Sequence, residues 1–383
     1  MTNDELLSKT ISYLRFPLTV GVVYIHFNLA KNGFTLHGVK YGLDNPEWYC
    51  YIINFFSDVL PRIGVPLFFF ISGFLFFYRK DFNGTIYRQK LHTRAKTLLL
   101  PFFLWNIIAI LIKASHKLPF LSSIFPNAPG IVITPERIFN TFFANFKNEG
   151  IFVTPIVEDA MTEINKSPIP IDVPMWYVRD LIIMVILAPV IYWLIKNGGK
   201  WFVICLGLIW YFIKPILFPD GDYPTLFITA AFFFSAGAYF SINKKNFVDT
   251  MRRANYFPLL YLLLATIDTF TKMNDYNIYI HEAGIIVGII SAVIVTSYLI
   301  ERGKVKVNMT LANCSFFVFA LHILIMDDIG KVVFTVFHLP DNTYSMLFMY
   351  FTVPTITILL CIFIYISLKR FLPNICNLLT GGR

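Results

Sequence analysis

Ten separate apolar stretches run through this sequence, near residues 9–29, 50–78, 97–115, 174–195, 201–218, 223–242, 256–271, 278–300, 311–329 and 343–370. Most approach the roughly 20 residues that a helix needs to cross a hydrocarbon core of about 30 Å. The weakest are 201–218, interrupted at Pro215, and 256–271, which contains Asp268. With 56% hydrophobic and 14% charged residues and a mean hydropathy of +0.63, the chain lies outside the composition of a soluble globular domain. Its 41 Phe and 20 Tyr suit lipid-facing helices and interfacial belts. The expected fold class is therefore all-α, a polytopic transmembrane helix bundle of about ten helices.

The distribution of charge orients that bundle. A formal net charge of +9 would fit a nucleic-acid partner only if the bases formed a continuous stripe, and here they fall in short segments between apolar runs. If the amino terminus is cytoplasmic, alternate connections hold 19 bases against five acids: Asp4, Glu5, Asp81, Asp249 and Glu301. The opposite connections then hold 10 bases and 17 acids. The positive-inside rule places both termini in the cytoplasm. No small-residue cleavage site follows the first run near Phe27, so it reads as a retained helix. The one long connection, about 116–173 on the outer side, is rich in proline and reads equally as spacer or functional loop. There is no internal repeat, and residues 1–383 read as one unit. Cys50, Cys205, Cys314, Cys361 and Cys376 lack CxxC spacing and read as small buried hydrophobes, with no disulfide framework and no metal site.

Ionisable side chains at bilayer depth need a partner, a wet cavity or a task. In YLRFPLTVGVVYIHFN, Arg15 and His26 are eleven positions apart, three turns plus about 20°, so one helix face carries a cation and, about 16 Å further, a base. Imidazole is the side chain best suited to accept a proton near neutral pH. Asp58 and Arg62, at i and i+4, are placed to pair. Ser72 and Gly73 permit close helix approach. Arg179 and Asp180 are adjacent, point about 100° apart, and are expected to need different partners. His281 and Glu282 open the eighth run, and His322, a second intramembrane imidazole, lies in the ninth. The inner loop 79–96 concentrates Arg79, Lys80, Arg88, Lys90, Arg94 and Lys96, enough to bind anionic headgroups or a phosphorylated cosubstrate.

Five pieces of sequence resemble the acyltransferase-3 family, bacterial integral membrane proteins that O-acylate cell-envelope glycans. They are Arg15 and His26 with ten residues between, VPLFFFISGFLFF at 65–77, RAKTLLLPFFLWN at 94–106, WYVRDLIIMVILAPVI at 176–191 and SFFVFALH at 315–322. The resemblance implies a ten-helix core in the bacterial inner membrane, with acyl-CoA, usually acetyl-CoA, taken from the cytoplasm. The acceptor it implies is a hydroxyl of a surface or lipid-linked glycan. His26 matches the family's proposed catalytic histidine and Arg15 its paired arginine. The family often carries Arg-x-x-Arg in the inner loop, whereas the position three before Arg94 here is Leu91, leaving Lys90 or Arg88 as the neighbouring cation. Arg88, Lys90 and Arg94 are thus the expected cosubstrate-binding cations. Arg62, Ser72, Trp176, Arg179, Asp180 and His322 are candidates for the substrate pocket. A glycan or lipid transporter is the rival reading, because buried Arg, Asp and His also suit a substrate pathway.

Overall fold

The computed structural model describes residues 1–36, 39–42, 44–79, 81–116, 130–143, 150–153, 169–218 and 223–382. Lys80, Arg383 and much of the 116–173 connection lie outside the described residues. Helix α1, Asn3–His26, opens on the Thr2 hydroxyl, which accepts from the Glu5 amide, and has Asp4 and Glu5 in its first turn. Helix α2 runs over Glu47–Phe77. It passes through a π turn at Phe55–Val59 and a 3₁₀ turn at Leu60–Ile63, because Pro61 and Pro66 cannot donate to the preceding turn. Helix α3, Gly84–Ser115, carries a π turn at Ala95–Leu99, just ahead of Pro101.

Helices α4, Pro135–Phe143, and α5, Met175–Ile186, follow, and α6 covers Ala188–Leu208, broken at Gly199, whose φ of 55° suits glycine. The remainder are α7, Tyr223–Ile242; α8, Phe257–Phe270; α9, Asn277–Glu301; α10, Met309–Val336; α11, Thr343–Phe371; and α12, Pro373–Thr380. Two small antiparallel strand pairs, Phe34–Leu36 with Val39–Tyr41 and Gly130–Ile131 with Phe152–Val153, are additions to the all-α expectation.

Helix occupies each of the ten apolar stretches. Among the described residues, six helices are long and apolar enough to cross a membrane by length and composition: Glu47–Phe77, Gly84–Ser115, Ala188–Leu217, Asn277–Glu301, Met309–Val336 and Thr343–Phe371. The stretches from Leu226 to Ile242 and from Phe257 to Phe270 are apolar but shorter. Exposed Trp201, Leu259, Phe363 and Leu359, each 60% or more accessible, give the outside of the bundle the apolar surface that lipid requires. The chain is a multi-pass membrane protein.

Helix α1 lies against α2, α9, α10 and α11. Helices α2 and α7 approach backbone to backbone. A Cβ on Gly73 would stand 2.0 Å from the Phe234 carbonyl oxygen, and one on Gly237 1.9 Å from that of Phe70. Only glycine allows this crossing. Asp268, the acid in the weakest apolar stretch, is satisfied by Lys272 (2.8 Å), His281 (2.7 Å) and Asn277 (2.9 Å). Glu282 pairs with Lys214. Cys314, Cys361 and Cys376 are buried as expected, but Cys50 is half-buried and Cys205 is exposed, because the flank of α6 that carries it faces outward.

Contacts between Asp4 and Arg79 (2.8 Å), Asn3 and Asp249 (2.9 Å), and Arg252 and Glu301 gather the amino terminus, the start of the basic loop and the turns after α7 and α9 at one end. This is the base-rich end.

Candidate functional site

Arg15 and His26 sit on one helix, so their common face follows from α-helical periodicity alone. The tertiary fold adds what that face meets. Around Arg15 the bundle forms a partly open cavity of about 140 Å³ lined by Thr19, Ser72, Arg94, Tyr177 and Asn313 among apolar side chains. That is below the roughly 300–1,000 Å³ of ligand pockets that hold drug-sized molecules, so it suits a slender chain better than a sugar ring. The Ser72 hydroxyl lies 3.1 Å from the Tyr177 hydroxyl across the cavity wall. Thr19 is one turn above Arg15 and its hydroxyl donates to the Arg15 carbonyl at 3.0 Å.

His26, seven residues beyond Thr19, meets His322 of α10, with ring centroids 5.2 Å apart and planes inclined at 46°. His322 is fully buried. Its Nδ1 stands 3.1 Å from the Val318 carbonyl oxygen, so that nitrogen carries the proton and donates. Its Nε2 has no hydrogen-bond partner among the described residues. A buried acceptor left unpaired is costly unless a ligand completes it. The Arg62 guanidinium lies within electrostatic range of the His26 ring. It is held in the expected ion pair with Asp58, whose other oxygen accepts from the Asn28 amide at 2.6 Å.

The remaining candidates divide. Arg94 shares the Arg15 cavity, whereas Arg88 is exposed and away from it, and Lys90 donates to the Phe76 carbonyl at the end of α2. Lys90 there acts as a cation on the last turn of a helix. Trp176 packs on Phe69 with centroids 6.3 Å apart and does not line the cavity. Arg179 and Asp180 bond each other, a contact not expected from their divergent directions, and Arg179 has a second partner as well. The Arg179 Nε donates to Asp180 at 2.9 Å, and its Nη1 donates to the Phe143 carbonyl at 2.6 Å. The arginine side chain is long enough to curl back onto its neighbour despite the 100° between their Cβ directions. The pair is buried and ties α4 to α5, so the 116–173 connection is anchored to the bundle.

Thr19, Tyr177 and Asn313 were not singled out from sequence. Tyr177 lies inside the WYVRD motif and Thr19 stands at i+4 from Arg15, which are the signals that point to them. Among the described residues, no group of three or more His, Cys, Asp or Glu side chains is close enough to hold a metal ion.

A family model described as an acyltransferase domain, acyltransferase-3, matches residues 9–368. The chain belongs to this family. It is an acyltransferase, which decides between the enzyme and transporter readings. Across 398 residues it is 26% identical to the succinoglycan biosynthesis protein ExoH of Rhizobium meliloti (strain 1021), covering 99% of this chain and 94% of that protein. No solved structure matches the chain.

Proposed function

We propose that this acyltransferase moves an acyl group, acetyl being the family's usual choice, from acyl-CoA to a hydroxyl of a polysaccharide or its lipid-linked precursor. It would act in the bacterial inner membrane as one unit of ten crossing helices, with the base-rich end and both termini cytoplasmic. The observation that carries the reading is the alignment of Arg15, a narrow cavity and the His26–His322 pair along one line through the bundle. Similarity to a succinoglycan biosynthesis protein supports a polysaccharide acceptor.

In this mechanism the pantetheine arm rises from phosphates held by Arg15 and Arg94 towards His26. The imidazole takes the proton from the acceptor hydroxyl, the oxygen attacks the thioester carbonyl, and the C–S bond breaks. The departing sulfur receives the proton back from His26, leaving an ester and free CoA. Tyr177 and Ser72 shape the passage, while Arg62 and His322 face the acceptor side. Purified protein in nanodiscs, given acetyl-CoA and envelope glycan, is expected to release CoA at a rate that His26→Ala abolishes. Undiminished release by folded His26→Ala protein would refute the assignment.

A further inference from the structure

At the base-rich end the bundle has a second, larger recess of about 480 Å³, within the usual range for ligand pockets. Its rim carries Arg79, Lys196, Lys244 and Lys245 against Asp4 and Asp81. The ion pairs there, Arg79–Asp4 at 2.8 Å and Lys244–Asp81 at 3.9 Å, join exposed side chains and contribute little, so a phosphate can replace the carboxylates. One wall is aromatic: Tyr192 stands 4.9 Å from Phe82 and 6.0 Å, near-parallel, from Phe77, measured between ring centroids.

One further feature marks a built site. Ser241 lines the recess, is only 8% exposed, and its hydroxyl has no hydrogen-bond partner among the described residues. Lys244 ends α7 in a left-handed turn, its amide donating to the Ser241 carbonyl at 3.0 Å and that of Lys245 to the Phe240 carbonyl at 2.8 Å, and both lysines line the recess.

The recess continues helix faces that line the Arg15 cavity. Ser241 lies two turns, about 10 Å, below Phe234 on α7, and Asp4 lies three turns, about 16 Å, below Arg15 on α1. We propose that this recess docks the adenosine 3′-phosphate end of the acyl-CoA, the cations and Ser241 meeting the phosphate and Tyr192 supporting the adenine. The inference rests on the acyl-CoA reading above. It places the nucleotide end of the donor on α2, α6 and α7, beyond the basic segment of α3.

The test is equilibrium binding in nanodiscs of phosphatidylcholine alone, using acetyl-CoA and its 3′-dephospho form. Wild type is expected to prefer acetyl-CoA by about tenfold or more, the scale of a charge-assisted contact. The Lys196→Glu/Lys244→Glu double variant should bind acetyl-CoA at least tenfold more weakly and lose that preference, whereas Lys200→Glu, at the same end, should keep both. A double variant that binds and discriminates like wild type would overturn the inference and leave the acyl-CoA reading standing. Failure of wild type to bind acetyl-CoA at all would overturn both. Discs containing phosphatidylglycerol separate the lipid source of the same chemistry: if the double variant loses only enrichment of the anionic lipid and retains donor discrimination, the recess is a headgroup site and the inference fails.

Discussion

Replacing His322 with leucine separates a functional histidine from a structural one. In a structural role, the side chain would be worth its hydrogen bond to Val318, about 1 kcal/mol, and its loss would destabilise the bundle. The buried, unpaired Nε2 changes that balance, since leaving such an acceptor unmade costs about 1–3 kcal/mol, a penalty that an apolar side chain of similar size removes. Folded His322→Leu is therefore expected to be as stable as wild type or up to about 2 kcal/mol more so, read as midpoint of thermal unfolding in detergent. Activity should fall in the opposite sense. As the proposed general base, His26 would account for roughly 100- to 10,000-fold of the rate, or about 3–5 kcal/mol of barrier.

With the rings 5.2 Å apart, His322 is expected to act on the proton transfer proposed for His26, so the two residues should behave as one unit. CoA release by His26→Ala/His322→Leu is then expected to match that of His26→Ala within about threefold, whereas independent contributions would multiply. A His322→Leu enzyme with wild-type turnover, or one whose activity falls only as its stability falls, would refute the argument.

Arg15→Ala should raise the acetyl-CoA concentration needed for half-maximal turnover by about tenfold or more, with kcat changed much less, because Arg15 is assigned to holding the donor; steady-state CoA release checks the split. Gly73→Ala places a methyl 2.0 Å from the Phe234 carbonyl oxygen, so α2 and α7 must part by over an ångström; a loss of about 1–3 kcal/mol is expected in thermal unfolding, with activity reduced because Ser72 and Phe234 line the donor cavity. Asp172, in the segment before α5, is fully buried with neither carboxylate oxygen hydrogen-bonded among the described residues, and burial pushes its carboxyl well above the usual carboxylate range, partly opposed by Lys113. The folded form holds this proton more tightly than the unfolded one, so its contribution to stability should be lost as pH rises through the raised pKa. Asp172→Asn should flatten that decline of melting temperature with rising pH, and an unchanged profile would exclude Asp172 as its source.

What the sequence made legible follows from which facts are local. Helical periodicity is local, so every apolar stretch became helix and Arg15 and His26 shared a face. The Asp58–Arg62 pair is local too, lying at i and i+4. The His26–His322 contact joins positions almost 300 residues apart, and no spacing rule reaches across that interval. Sequence identified both imidazoles without revealing that they meet. Local geometry also misleads when a side chain is long: Arg179 and Asp180 diverge at Cβ and still bond, because the guanidinium lies several bonds further out.

The basic loop shows a third limit. Sequence grouped Arg88, Lys90 and Arg94 by proximity, but helical rotation separates them, leaving one exposed, one on the end of α2 and one beside Arg15. Charge density along a sequence sets topology, since the membrane counts bases by segment. Recognition of a phosphate depends on which cations share a concave surface, and at the base-rich end those cations come from three separated turns of the chain. On the proposed reading the same bases orient the bundle and hold the donor, the first role argued from order in the chain and the second from the cations that the fold gathers around one recess.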